Sequence, residues 1–299
     1  MSESQSRLQN EPDEHTAFFE RYYSDAVEEL AQRYPEEQRH ITIEWTDLLQ
    51  YDVEVAEDYL RSPDEMGERL SWALSEYNIP NVTLDDVDVR VVGLNDSDIY
   101  DPLEVTRDIE RREENYVGVR GQLAKVTQPM KEISTAVFVC ERCGFDAEIP
   151  QTGDKMTEPT ECAGCERQGP FRLNIEKSDF DHHVRIRTET PPDETGDLQE
   201  QYIDGDVRGD LVWSGNDEFG LAARSGDRII AYGTVEKRQV EQGNTKTRHF
   251  EEYLDVKAIE FDDDNDDVDI EKHRDEFEDL ALRDDAVDVF ADSIAPQLY

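Results

Sequence analysis

The chain has 299 residues, 74 of them acidic and 31 basic, for a formal net charge of −43. A surface so charged repels itself in dilute buffer and is tolerated where concentrated salt shortens the screening length. The composition therefore points to an intracellular protein of a high-salt cytoplasm, and any nucleic-acid contact must come from local basic islands. Acidity with low hydropathy is also the mark of disorder, but three Trp, twelve Tyr and eleven Phe set in periodic segments argue for folded cores. No apolar run approaches the length of a membrane helix, and the N-terminus lacks a basic region followed by an apolar one. The chain thus reads as soluble and cytoplasmic, with no membrane partner.

Residues 1–12 read as a polar, flexible N-terminus. From His15 to Tyr34 the positions Phe18, Tyr22, Ala26 and Leu30, with Phe19, Tyr23 and Val27 beside them, keep the spacing of one helix face, and Pro35 stops it. Trp45–Leu49 and Val53–Leu60 predict short helices. Ser62-Pro63-Asp64-Glu65 opens another with a cap, a proline at the first position and acids in the first turn. Val87, Val89 and Val91 then alternate as a strand. Residues 13–110 are expected to form a helical subdomain closed by that strand.

The period changes at Tyr116. Tyr116–Val126 predicts a bent strand, with Gly121 at its kink or bulge, and Ala136–Val139 a second that runs into Cys140. Phe171–Ile175, Val184–Thr188, Arg228–Val235 and Phe250–Ile259 follow as strands, with Gln242-Gly243-Asn244 at a hairpin turn. Strands of this number and length suggest a small Greek-key barrel of the OB type over 111–139 and 171–261, interrupted by an insertion at 140–170. Residues 262–269, nearly all Asp and Asn, read as a solvated linker, and helices are expected at 271–282 and 284–292, so that 262–299 is linker and short helices. The fold class is α+β and multidomain.

The insertion holds the four cysteines of the chain, Cys140-Glu-Arg-Cys143 and Cys162-Ala-Gly-Cys165. Two such knuckles can present four thiolates to one tetrahedral ion, and Gly144 and Gly164 are expected to supply the left-handed backbone of the two turns. Disulfides suit small oxidised domains, whereas this chain is long and shows no secretory segment. One structural Zn2+ per chain is expected; four sulfurs leave no open position for catalysis.

Against the acidic background, Lys237, Arg238, Lys246 and Arg248 stand with the single acid Glu241 between them. On a projecting hairpin they would meet phosphates, or they would simply be a solvated hairpin. Arg185 and Arg187, two apart on one strand, share a face. Such a pair can track a nucleic-acid backbone, or equally pair with the chain's abundant carboxylates. Lys125 and Lys131 flank the turn after the first barrel strand with a weaker signal. His182 and His183 are consecutive and face opposite ways on a strand, and they have no Cys or Glu partner at a useful spacing, so they predict no catalytic site.

Four stretches in this order, Tyr116–Val126, Ala136–Gly144, Cys162–Phe171 and Ala223–Arg228, together with Ser293–Tyr299, resemble the N-terminal region of the archaeal, haloarchaeal-type minichromosome maintenance (MCM) replicative DNA helicase. The resemblance covers most of residues 15–299. It implies a helical subdomain, a zinc-binding subdomain inserted in an OB barrel, and ring assembly around single- and double-stranded DNA as a hexamer or double hexamer. It also implies a central-channel hairpin at about 236–249 carrying Lys237, Arg238, Lys246 and Arg248, and barrel positions for Arg185, Arg187 and Lys125 on the single-strand path. Two departures stand out: Leu198-Gln-Glu-Gln201 replaces the family's Leu-Pro-Arg-Ser-like coupling loop, and Trp213–Leu221 looks inserted. No GxxxxGK[ST] phosphate loop occurs in the chain, so these residues alone are not expected to hydrolyse ATP. A motor-bearing helicase subunit is the implied partner. The alternative is an adaptor or regulator that joins a helicase ring or another partner without touching DNA.

Overall fold

The computed structural model describes residues 12–85, 87–107, 115–151, 155–191, 201–213, 224–242 and 245–261. Residues 1–11 of the expected N-terminal tail, 198–200 of the 198–201 loop, most of the apparent insertion at 213–221, and the linker and helices of 262–299 lie outside these residues.

The N-terminal part comprises helices α1 (Pro12–Tyr22), α2 (Ser24–Arg33), α3 (Trp45–Tyr51), α4 (Val53–Arg61) and α5 (Pro63–Ser75), with strands β1 (His40–Glu44) and β2 (Asp88–Val92). The two strands pair in parallel, His40 opposite Asp88 through Glu44 opposite Val92. Two helices stand where the apolar spacing predicts one from His15 to Tyr34. Tyr23 leaves helical geometry at φ −130° and ψ 20°, because its hydroxyl is fixed on the start of α3: it accepts from Glu44 N at 2.7 Å and donates to Asp47 Oδ2 at 2.8 Å. Both halves of the broken helix still bury their apolar faces, Phe18 and Phe19 from α1, Val27 and Leu30 from α2. Pro63 occupies the first position of α5 as expected, but Ser62 makes no side-chain cap. The side-chain cap lies one helix earlier, where Asp52 Oδ1 accepts from Glu54 N at 2.8 Å.

The chain continues through β3 (Ile99–Tyr100), α6 (Pro102–Arg107), β4 (Tyr116–Val126), β5 (Met130–Cys140), β6 (Asp146–Pro150), β7 (Phe171–Leu173), β8 (Asp179–Glu189), β9 (Tyr202–Arg208), β10 (Arg228–Gln242) and β11 (Thr245–Phe261). Strands β4, β8, β9, β11 and β10 close a ring in that order, since β4 pairs with both β10 and β8. All contacts in the ring are antiparallel except that between β9 and β11. Numbered along the chain, the five barrel strands run 1-2-3-5-4-1, which is an OB barrel. Val117, Val119, Leu123, Val184, Ile186, Ile203, Val207, Ile229, Val235, Leu254 and Val256 fill its interior.

Gly121 marks the point where β4 passes from one neighbour to the other: the next residue, Gln122, pairs with Arg228 on β10 and with Glu189 on β8. A Cβ at 121 would lie 2.6 Å from the Glu189 carbonyl oxygen, so the two backbones leave room for glycine alone.

The helical part and the barrel share one core. Tyr116, Ile230, Tyr232 and Ala258, from the barrel wall, pack with the buried residues of the helices. The Tyr116 ring meets that of Tyr59 edge-on at 5.1 Å, and its hydroxyl donates to the Val91 carbonyl at 2.6 Å. The described residues up to Phe261 accordingly form one compact unit.

Candidate metal centre and nucleic-acid interface

Strand β5 leaves the barrel, where its first half pairs with β8, and ends at Cys140; β6 and β7 then flank its far end. This ladder carries the first knuckle out on a rigid arm. In each knuckle the cysteine carbonyl turns back, Cys140 O accepting from Gly144 N and Cys162 O from Glu166 N, both at 2.8 Å. Gly144 takes the left-handed backbone expected of it, at φ +74°. The expectation for Gly164 is corrected: the left-handed residue of the second knuckle is Glu166, at φ +53°, because in both turns that conformation falls just after the second cysteine. Gly164 is needed for space instead, since a Cβ there would lie 2.9 Å from the Phe145 side chain.

The four sulfurs lie within 4.8 Å of one another. Cys140 Sγ is 3.9 Å from Cys165 Sγ, and Cys143 Sγ is 3.6 Å from Cys162 Sγ. These bracket the edge of a tetrahedron of sulfurs around zinc, about 3.8 Å for bonds of about 2.3 Å. The knuckles also donate into the cluster: the Arg142 backbone N–H draws the Cys140 thiol down to about 7, and Gly164 N lies 3.3 Å from Cys162 Sγ. Cys165 moves the other way, pushed up to about 12 by burial and then by its sulfur neighbours. Thiols this close shed their protons together only when a cation joins them, so the donor set fits a four-coordinate, closed zinc site.

The basic residues occupy two regions. Strands β10 and β11 run on past the barrel as a hairpin: beyond Glu236 and Tyr253 they pair only with each other among the described residues, from Lys237 opposite Glu252 to Gln242 opposite Thr245. Its four candidate cations do not act as one cluster. Lys237 and Arg248 are exposed, and Lys246 lies opposite Glu241 in the backbone register. Arg238 is turned onto the barrel. Its guanidinium sits 4.2 Å over the Tyr253 ring and pairs with Asp206, with the arginine side chain 16% exposed and the aspartate 2%.

The second region is the outer face of the barrel, where β8 and β9 align in the register Arg187–Asp204 and Arg185–Asp206. Lys125 is exposed on the other side of Arg187, directly opposite it on β4. Arg187 holds Asp204 by two bonds, Nε to Oδ1 at 2.6 Å and Nη2 to Oδ2 at 2.9 Å, while its guanidinium lies 3.8 Å over the Tyr202 ring. Arg185 Nε is 3.2 Å from Asp206 Oδ1. Asp206 is a hub that also receives Arg208 Nη2 at 3.2 Å and faces His183 Nε2 at 3.4 Å. Burial works against its charge, but His183, Arg238 and Arg208 outweigh it and hold the carboxyl well below the usual carboxylate range. Arg208 extends the network to Asp255 at 2.6 Å, and Lys257 bridges Asp255 at 2.8 Å and Asp64 of α5 at 2.9 Å.

Of the two readings of the arginine pair, the carboxylate pairing is the one observed in the free chain. Tyr202, Asp204, Asp206 and Arg208 escape sequence reasoning because β9 itself does. The signal was there: Asp204-Gly-Asp206 repeats the two-residue spacing of Arg185-Ile-Arg187 with opposite charge.

Residues 105–239 match the family model described as the MCM OB domain. The fold agrees with the crystal structure of the N-terminal domain of an archaeal MCM, with a TM-score of 0.66 at 24% identity, covering 85% of this chain and 99% of that one. Residues 105–239 are an MCM OB domain. The MCM OB span takes in the four cysteines, Lys125, Arg185 and Arg187, and reaches Lys237 and Arg238 but not Lys246 or Arg248. Curated relatives of this MCM region include DNA replication licensing factor mcm-6 of Caenorhabditis briggsae, 32% identical over 122 residues, which make up 40% of this chain and 14% of that protein. DNA replication licensing factor MCM4 of Drosophila melanogaster is 20% identical over 195 residues, 61% of this chain and 22% of that protein. The chain thus spans less than a quarter of the length of either relative.

No helix among the described residues is long and apolar enough to cross a membrane.

Proposed function

We propose that this chain is the DNA-binding, ring-assembling N-terminal module of an MCM-type replicative helicase. The observation that carries the reading is an MCM OB barrel extended by the β10–β11 hairpin, with Lys237 and Arg248 exposed on the one, and Lys125, Arg185 and Arg187 on the face of the other. Subunits assemble as a homo-oligomer, a hexamer or double hexamer, so that the hairpins, with Lys246 and Arg238, surround single- or double-stranded DNA. The barrel cations follow a single strand. One Zn2+ held by Cys140, Cys143, Cys162 and Cys165 stiffens the lobe that projects from the barrel. The 299 residues contain no GxxxxGK[ST], so the ATPase is supplied by a motor segment or subunit outside this sequence. The setting is a salt-rich cytoplasm at the nucleoid, where multivalent contact around a ring offsets the weakening of each phosphate contact by salt.

A second reading, an adaptor that joins a helicase ring without touching DNA, is favoured by one observation: Arg187 and Arg238 are engaged with Asp204 and Asp206. Binding of a fluorescent single-stranded oligonucleotide, measured by anisotropy alongside light scattering in molar KCl, separates the two. Under the first reading the chain binds, and replacing Lys237, Arg238, Lys246 and Arg248 by Ala removes binding. Binding that never occurs would leave the adaptor reading standing, whereas binding that survives both this change and R185A/R187A would show that neither set of cations carries the contact.

A further inference from the structure

Each arginine on the outer face of the barrel already faces an anion. A carboxylate offers the fork of an arginine two oxygens much as a phosphate does, and Asp204 fills that place for Arg187 at 2.6 and 2.9 Å. The pair is nonetheless accessible, with Arg187 37% and Asp204 44% exposed, unlike the Arg238–Asp206 pair in the hub. Lys125 stands exposed beside it, and Tyr202, half exposed, carries the Arg187 guanidinium on one ring face.

We propose that Asp204 is an internal phosphate surrogate that makes nucleic-acid binding at Arg187 an ion exchange. The proposal rests on the reading that barrel cations contact DNA. On binding, the guanidinium passes from Asp204 to a phosphate of single-stranded nucleic acid, and the freed carboxylate takes up a cation from solution. No covalent bond changes, and the charges balance: the phosphate sheds its condensed counterion while Asp204 gains one. An ordinary phosphate contact with a single strand lowers log K by about 0.7 for each unit of log salt concentration. In the exchange, uptake at Asp204 offsets that release, so the contact is weak in dilute buffer but nearly insensitive to salt. A chain of net charge −43 that must hold DNA in concentrated salt gains from such a contact. The move also clears a face of Tyr202 on which a base can stack.

The test is anisotropy of an oligothymidylate with the full 299-residue chain across a series of KCl concentrations, for the wild type, D204N, D204S and R185A/R187A. D204N and D204S are expected to bind about two- to fivefold tighter at the lowest salt, the range set by the strength of exposed ion pairs. Their log K against log[KCl] line should be steeper by up to about 0.7, so that the advantage fades as salt rises. Unchanged affinity and slope in both variants, with the wild type binding, would overturn the masking and leave the DNA reading intact. Weaker binding by both would overturn it too, because Asp204 would then be aiming Arg187. No binding by the wild type, or binding indifferent to R185A/R187A, would overturn DNA binding at this face and the exchange with it.

Discussion

Replacing Asp206 by Asn tests whether the hub on the outer face of the barrel holds the barrel itself together. The side chain is 2% exposed and neutralises Arg238, 16% exposed, together with the more exposed Arg208 and Arg185 at 35% and 47%. Removing one partner of a buried pair costs about 3–5 kcal/mol, and the accessible arginines recover water, so the expected loss at neutral pH is about 2–3 kcal/mol. Because the hub is buried, molar KCl should leave most of this intact. The pH dependence has a definite sign. Asp206 titrates lower in the folded chain than in the unfolded one, where a carboxyl titrates near about 3.9. Its contribution is therefore complete above about pH 5 and is lost as pH falls through that range toward the folded value. Urea unfolding in molar KCl, followed by tryptophan fluorescence for the wild type and D206N, should show a gap that is constant from about pH 7 to 5 and narrows below. A gap under about 0.5 kcal/mol at neutral pH, the scale of an ordinary surface substitution, or one that does not narrow in acid, would refute the reasoning.

Two further outcomes follow. Elemental analysis of protein prepared without chelator should find about one zinc per chain, and chelation should open residues 140–170 to protease while the barrel stays folded; simultaneous loss of both would show that the lobe is not a separate lever. Lys257→Met removes the bridge between Asp64 of α5 and Asp255 of the barrel, at a cost of about 1 kcal/mol since Asp64 is exposed; faster amide exchange over Pro63–Ser75 is the expected sign, and unchanged exchange would exclude a tie through this lysine.

Elements with a clean period were legible in the sequence. Tyr116–Val126 fell in place because one face of β4 fills the barrel, and the cysteine knuckles because four thiols at fixed spacing have few other uses. The misses have distinct physical causes. The break at Tyr23 comes from a hydroxyl held by residues more than twenty positions away, which no local period records. Strand β9 puts Ile203 and Val207 into the core with Gly205 between them, and sets Tyr202, Asp204, Asp206 and Arg208 on the other face, so its composition reads as loop. The first half of β5 pairs with β8 without joining the ring and shows no alternation at all. The basic islands were visible as charges, but the partners of Arg187 and Arg238 depend on the register of β8 on β9 and on the reach of Arg238 over Tyr253.

That register changes how the acidity of the chain is to be understood. A net charge of −43 would be expected to strip DNA from any scattered cation, and the hairpin alone offers few. On the barrel, however, part of the acidity sits on the cations themselves, one carboxylate opposite each arginine. The acids there do two jobs according to depth. Asp206, buried among three arginines, fixes side chains and cannot be exchanged without damage to the fold. Asp204, two residues away at the surface, can surrender its arginine to another anion. The same sequence triplet thus separates a structural charge pair from a replaceable one by burial alone, and comparing D206N with D204N, one read by stability and the other by the salt dependence of binding, resolves the two roles.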